Sequence, residues 1–509
     1  MEQPNIPQTP PVYQPYAYPL SKPPVTFPTG KGELLFGVWT LVFSMLLCNC
    51  LFFAGPHLGF GLAVLGMLGG TWYYLRRRGH RFGWYETALL SLCALIAAAF
   101  IVSDDGVTKL CMVLVLMAVP SLGFCIAAGQ NRYRPAGFLS LLDSPRAAFG
   151  MGFGCMGAMG RGIRVAFRAA GALGRNTGAV GLGLLIAAPV VIVLMSLLVS
   201  ADAAFEGMLE LLPDLELDEA LFTAIAGGFM GAVLYTRGVA LHHNPRSEAA
   251  PKPIKGIHPL TVNTILLAAA AVYVAYLASQ LAYFVGGFSG ILPEDFTLAE
   301  YARRGFFEMS ELCVINLGII ALAVGLVKKE KGTPKLTRIL CLFLGLISVF
   351  LVCTASAKMF MYIGSYGLTR ARVVTEVFML WLAVTTVLVC VWLFREKMPY
   401  MKLSLVLGLA LCAVFFWTDV DARVAQYNVR AYQDGRLETV DVLYLSTLSS
   451  GAVPYLQELT EDPNPHVAEQ ADDALTDYYL ARIEDLRGWN WTRWRVQQIL
   501  EDYREEKHP

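Results

Sequence analysis

The chain has 509 residues, 56% of them apolar and only 16% charged, and its mean hydropathy is +0.51. Soluble domains hold roughly 45–50% apolar and about 25% charged residues, so a soluble globule is excluded. Forty basic and forty acidic residues cancel, which gives no reason to expect a nucleic-acid binder and leaves the meaning to the placement of charge.

Residues 1–30 carry nine prolines interleaved with Tyr13, Tyr16 and Tyr18. This composition favours extended polyproline and cannot build a core, so a disordered tail is expected, either a plain tether or a ligand for an aromatic groove. No secretory signal is expected, because the proline tail precedes the first apolar run and no small-residue cleavage pattern follows that run. Eleven apolar runs come next, near Leu34–Ala54, Leu58–Leu75, Trp84–Val102, Val107–Ala128, Val180–Ser200, Ala220–Leu241, Leu260–Val285, Phe306–Val327, Ile339–Ile363, Val374–Phe394 and Leu403–Thr418. About 20 helical residues match a hydrocarbon core of roughly 30 Å, so each run predicts a span. The fold class is therefore an all-α polytopic integral membrane protein, with residues 31–418 as its transmembrane domain.

Between the fourth and fifth runs, Phe138 to Asn176 mixes Arg146, Arg161, Arg164, Arg168 and Arg175 with Phe, Leu and Met. Interfacial helices near 138–176 lying on an anionic leaflet are the expectation, with a re-entrant segment as the alternative. Gly152-Phe153-Gly154-Cys155-Met156-Gly157 satisfies G-x-G-x-x-G in letters only, since neither a preceding strand nor a following acid accompanies it. All eleven cysteines fall in spans or in this connection, which argues against an extracytoplasmic disulfide framework, and Cys48-x-Cys50 reads as packing.

His242-His243 has no Asp, Glu or Cys beside it to complete a metal set and reads as a solvated pair. Gly66/Gly70, Gly227/Gly231 and Gly286/Gly290 repeat at the four-residue spacing that lets helices approach closely. A polar cluster flanks the eighth run: Glu300, Arg303, Arg304, Glu308 and Glu311, with Lys358, Arg370 and Arg372 as partners at the end of the ninth and in its loop. Arg304 and Glu308 are four apart and Glu308 and Glu311 three apart, so their side chains share a helix face. Glu311 lies a turn inside, where an ionised carboxylate is expensive unless paired or hydrated. The cluster is either a structural ion-pair group or a solute or proton site.

After Thr418 come 91 residues with eighteen acids and nine bases, read as a helical domain over 419–509. Asp419 or Asp421 caps its first helix and Gly435 ends it, while Pro454, Pro463 and Pro465 punctuate the later ones. Val467, Ala471, Leu475, Tyr478, Arg482, Ile483 and Leu486 share a helical period. Trp489, Trp491 and Trp494 are expected in its terminal core, with a leaflet contact as the alternative.

Alternate connections carry 25 Lys and Arg on one side and six on the other, the remaining nine lying in the C-terminal segment. Because cytoplasmic loops retain positive charge, the N-terminus is expected in the cytoplasm and, after eleven crossings, residues 419–509 outside it. Trp72, Tyr73, Tyr74, Trp84, Tyr85 and Trp392 beside basic loops fit interfacial anchors.

Ala299-Glu300-Tyr301-Ala302-Arg303-Arg304-Gly305-Phe306-Phe307-Glu308, Ser365-Tyr366-Gly367-Leu368-Thr369-Arg370-Ala371-Arg372, and Tyr427-Asn428 with Gly435, Leu437, Asp441, Tyr444-Leu445, Leu448-Ser449 and Ala452-Val453-Pro454 resemble the bacterial membrane proteins of domain of unknown function 4173, related to class 4153. The resemblance implies a bacterial inner-membrane protein with an extracytoplasmic C-terminal segment, and it carries over no catalytic residue. Two departures stand out: Asp419-Val420-Asp421 replaces an Asn-Pro opening, and Ser450-Gly451 replaces Ser-x-Asp before Ala452. The functional expectation is a non-enzymatic transporter or envelope sensor with a partner-binding tail, a protein or solute being the extracytoplasmic partner. A lipid-linked glycosyltransferase or an assembly scaffold is the alternative. No cofactor, metal or nucleic acid is expected. The outer loop Gly55-Pro56-His57-Leu58-Gly59 lacks the acid such transferases carry there.

Overall fold

The computed structural model describes residues 31–133, 138–154, 217–243, 256–288, 298–328, 332–476, 478 and 486–507. Ten helices among them are long and apolar enough to cross a membrane. We number these α1 (Lys31–Asn49, continued by a wider π turn to Ala54), α2 (Leu58–Arg77), α3 (Trp84–Ala98), α4 (Gly106–Ala127), α5 (Gly228–His243, entered through Leu217–Phe222 and a π turn), α6 (Pro259–Phe288), α7 (Leu298–Leu326), α8 (Lys335–Tyr366), α9 (Arg370–Phe394) and α10 (Tyr400–Trp417). The described residues hold no strand, only an isolated bridge between Ile257 and Val327. The chain is an all-α, multi-pass membrane protein. Its helices leave Leu34, Val107, Leu267, Leu322, Ile339 and Val414 exposed on their outer faces, as helices surrounded by hydrocarbon do.

Ten predicted spans coincide with these ten helices. The eleventh, Val180–Ser200, lies outside the described residues, as do residues 1–30 and most of the arginine-rich connection. Of that connection, residues 138–154 form short helical turns whose Asp143 is buried, accepting from the Arg132 and Tyr133 amides and pairing with Arg146.

The spans form two groups. Helices α1 to α5 pack with one another and with α10, while α6 to α9 share a core of Cys313, Ile320, Leu344, Leu351, Met379 and Leu382; α10 touches both α3 and α9. Glycines set the first group's spacing. A Cβ on Gly66 or Gly70 would enter the rings of Phe43 and Trp39, and one on Gly227 or Gly231 would meet the α1 backbone at Met45 or the Ser44 hydroxyl. Two of the three glycine pairs thus serve close helix approach; Gly290 of the third lies outside the described residues.

Among the described residues, five α-helices follow α10: α11 (Val420–Gln433), α12 (Val442–Ser446), α13 (Val453–Leu459), α14 (Pro465–Thr476) and α15 (Trp491–Lys507). Asp419 caps α11 through the Ala422 amide, Gly435 at positive φ ends it, Asp441 caps α12, and Pro454 and Pro465 open α13 and α14. Val424, Val429, Leu445, Leu456, Leu459, Ala471, Leu475, Val496 and Leu500 close a core between them. Full burial of each Val or Leu contributes on the order of 1.5–3 kcal/mol. Of the stripe expected from Val467 onward, Val467, Ala471 and Leu475 are buried and Tyr478 packs against the same core, while Arg482 and Ile483 lie outside the described residues. α14 ends at Thr476, and Leu486 is 78% exposed.

Candidate functional site: a charged joint between the tail and four membrane connections

The tail does not hang free. It closes over residues 55–59, 102–105 and 367–370 and over the start of the fifth described span at Glu219, which places all four on one face of the membrane domain. α4 and α5 both start on this face.

Arg370, the first residue of α9, sits at the middle of the joint. Its guanidinium spans the carboxylate of Asp421 on α11, with Nε 2.8 Å from Oδ1, and reaches Asp105 Oδ1 at 2.7 Å through Nη1. Asp421 is 2% exposed and accepts the Ser449 amide as well, while Asp105 also caps α4 by accepting the Thr108 amide. A planar, permanently charged fork between two carboxylates is the geometry for which arginine is suited and lysine is not.

Beside it stands a second set. Asp104 accepts from the Ser450 hydroxyl at 2.5 Å and faces Lys109 Nζ at 3.3 Å, and Arg493 of α15 approaches it at 3.9 Å. His57 lies between the two bases, its Nδ1 3.1 Å from Lys109 Nζ and its Nε2 2.9 Å from Arg493 Nη1. Arg493 can only donate, so Nε2 accepts from it, and a neutral imidazole has no second acceptor to offer Lys109. Burial, with the two neighbouring cations, pushes the His57 pKa down to about 3, so the imidazole is neutral at physiological pH.

Asp419 adopts φ 40°, the left-handed region that only glycine, asparagine and aspartate visit readily. Burial raises its pKa, against the opposing effect of hydrogen bonds from the Ala422 amide and the Thr492 hydroxyl. A Cβ at Gly451 would stand 2.6 Å from its Oδ1. The two positions at which the sequence departs from the resembled pattern are therefore in contact: the carboxylate of Asp419 occupies the space that a side chain at 451 would need.

Polar groups tie the remaining edges. Asn490, fully buried, donates to the carbonyls of Phe100 and Ser103 at the end of α3. The first amides of α2, which have no partner in their own helix, donate to the Trp489 and Arg487 carbonyls. Arg487 also binds Asn49 and Glu219. Asn428 and Leu368 exchange two hydrogen bonds, at 2.7 and 2.8 Å. Between Asp104, Asp105, Arg370, Ser450, Tyr478 and Arg493 an open cleft of about 390 Å³ remains. Among the described residues no three His, Cys, Asp or Glu side chains gather as a metal would require.

Only part of the cluster expected from the sequence falls on described side chains. Glu300, Arg303 and Arg304 lie in the first turns of α7, with side chains outside what the structure describes; Glu308 and Glu311 lie on its exposed side, and Lys358 is half-buried on α8. Arg372 turns back to the Tyr366 and Gly367 carbonyls at the end of α8 and over the Tyr362 ring. Of the five whose side chains are described, Arg370 alone enters the joint. His242 and His243 are half-buried rather than solvated: His242 meets His80 at 3.1 Å, and His243 approaches Glu33, which pairs with Arg78.

Sequence reasoning missed most of the joint. Lys109 had a readable signal, a base one turn inside an apolar helix. Glu376 had the same one: it lies two turns into α9, where Oε1 is buried without a hydrogen-bond partner while Ser356 of α8 bonds to the carboxylate.

A family model described as Domain of unknown function (DUF4153) matches residues 87–459. The chain belongs to that family. The match runs from α3 through α13, so it contains Asp104, Asp105, Lys109, Arg370, Asp419, Asp421 and Ser450, whereas His57 and the α15 residues lie outside it. The family shown is the related class 4153. No curated protein and no solved structure matches the chain.

Proposed function

We propose that this protein is a non-enzymatic solute-binding protein of a bacterial cytoplasmic membrane, a transporter or envelope sensor, whose ligand enters the cleft between the tail and the membrane loops. The observation that carries this reading is the cleft itself. Two carboxylates, two guanidinium groups, the Ser450 hydroxyl and the Tyr478 ring converge on it, at the place where tail and spans are joined. Such a constellation suits a small polar solute bearing both donors and acceptors, and a ligand that bridges Arg370 and Asp105 would compete with the contact holding the tail. The charge asymmetry of the loops supports an extracytoplasmic tail, and the outer-loop motifs support a kinship with class 4173.

The test is a proteoliposome uptake and thermal-shift screen over amino acids, polyamines, sugars and sugar phosphates, run beside a lipid-linked sugar turnover assay. A ligand whose stabilisation disappears in Asp105→Asn supports the proposal, while sugar turnover without such a ligand overturns it in favour of an enzyme. Orientation is checked separately. Alkaline phosphatase fused after Pro509 is expected to be active and after Lys255 inactive, the reverse pattern placing the tail in the cytoplasm.

A further inference from the structure

Trp491 and Trp494, expected in the core of the tail, are 49% and 39% exposed, and they form a ring chain with Trp489 at centroid separations of 6.4 and 5.3 Å. Their height in the molecule is fixed by their neighbours. Asn490 binds the Phe100 and Ser103 carbonyls and Thr492 lies 2.9 Å from the Val102 carbonyl, so the first turn of α15 sits against the end of α3, where that span leaves the hydrocarbon.

The outward face of α15 changes character along its length. Trp491 and Trp494 come first, followed by Arg495, Gln498, Glu501, Asp502 and Glu505, all exposed, while Thr492, Val496, Leu500 and Tyr503 face inward. Exposed apolar surface is confined to the turn beside the membrane domain, and charge takes over within the next two turns. At the same face Trp417 ends α10, 38% exposed, donating to the Leu95 carbonyl of α3. Indole rings, with an apolar body and one N–H donor, collect at the headgroup level of bilayers.

We infer that Trp491 and Trp494 insert into the headgroup region of the leaflet on the tail's side, continuing the belt to which Trp417 belongs. The occupant of this patch is lipid. The tail is then held by two different forces, the charged joint over the loops and an aromatic anchor in the bilayer, and the anchor fixes the height of α15 against α3.

The experiment uses the full chain in nanodiscs containing phosphatidylcholine brominated at either a shallow or a deep acyl position. Nine tryptophans contribute to emission, so the readout is the difference between wild type and Trp491→Phe/Trp494→Phe. The emission lost in the variant is expected to be the quenchable kind, falling at least twofold with shallow bromines and less with deep ones. Emission lost that bromine never quenched overturns the inference and leaves a water-facing or protein-binding patch. Should the double variant fail to fold, Trp494→Phe alone is read in the same way, with gel filtration as the check on folding.

Discussion

The two faces of the membrane domain use charge in different proportions. The face opposite the tail is rich in bases, and its pairs are mixed: Arg146 with Asp143 three residues away, Arg338 with Glu396, side chains 31% and 41% exposed, and one long-range buried carboxylate, Glu33, with Arg78. On the tail's face bases are few, but Lys109, Arg370 and Arg493 are drawn into contacts that join residues 51 to 436 positions apart. A count of Lys and Arg therefore carries topological information where the charges are abundant, and structural information where they are scarce.

The largest expected effect breaks this comparison at its centre. Arg370→Ala leaves Asp421, 2% exposed, and Asp105 facing each other without their shared cation. Removing one partner of a buried pair costs about 3–5 kcal/mol. The tail of this variant is expected to become a protease target while the spans stay folded, and Arg370→Lys is expected to recover only part of the loss because its ammonium cannot bridge both acids in the same plane. Unchanged melting and proteolysis of Arg370→Ala would show that the tail is held elsewhere.

Acid should loosen the same joint through His57. Its pKa lies below the ordinary 6.5, at about 3, so the unfolded chain binds a proton in that interval and the folded one does not. Stability is then complete above about pH 6.5 and is lost as pH falls toward 3. Asp419 acts with the opposite sign. Its pKa is raised by burial, so its contribution falls as pH rises above the ordinary 3.8 toward the folded value. His57→Gln should flatten the acid limb of a melting-temperature profile, and Asp419→Asn should steepen it. A wild-type acid limb that survives His57→Gln unchanged would assign it to other groups.

The ten described helices were legible because membrane insertion is a local property. A window of about 20 apolar residues is sufficient, and neighbours only trim its ends. Asp419 as a cap and Gly435 as a stop were legible for the same reason. The joint was not, because nothing local marks His57 as the partner of an arginine 436 positions later, or Asp104 as the partner of Ser450. Pairing Arg370 and Arg372 with Glu308 and Glu311 followed from a shared membrane depth alone. In the fold, the tail offers Arg370 a bidentate carboxylate, and the end of α8 offers Arg372 two carbonyls, both with better geometry.

Glu376 gives a smaller effect of opposite sign. Half-buried on α9, with one carboxylate oxygen closed to solvent and lacking a hydrogen-bond partner, it lacks the compensation that Asp421 receives. Replacing it with an uncharged isostere removes the desolvation penalty and costs little, so Glu376→Gln is expected to raise stability by about 1 kcal/mol. Loss of stability in this variant would mean that the carboxylate is needed in the fold.

The smallest effect belongs to the opposite face. Arg338, in the first turn of α8, meets Glu396, in the connection between α9 and α10, at 3.1 Å, where both side chains keep a third or so of their surface in water. Their attraction is screened, and ordering two long side chains offsets much of it, so Glu396→Gln is expected to change stability by under about 1 kcal/mol. The same substitution logic applied to Arg370 should cost several times more, although both are arginine–carboxylate pairs. Measured in one detergent and one buffer, the two variants isolate burial as the variable, since only Asp421 is almost closed to solvent. Raising the salt concentration should shrink the Arg338 effect further and leave the Arg370 effect nearly unchanged. Equal costs for the two would show that the tail's joint is as hydrated as a surface loop, and the contrast between the faces would then rest on topology alone.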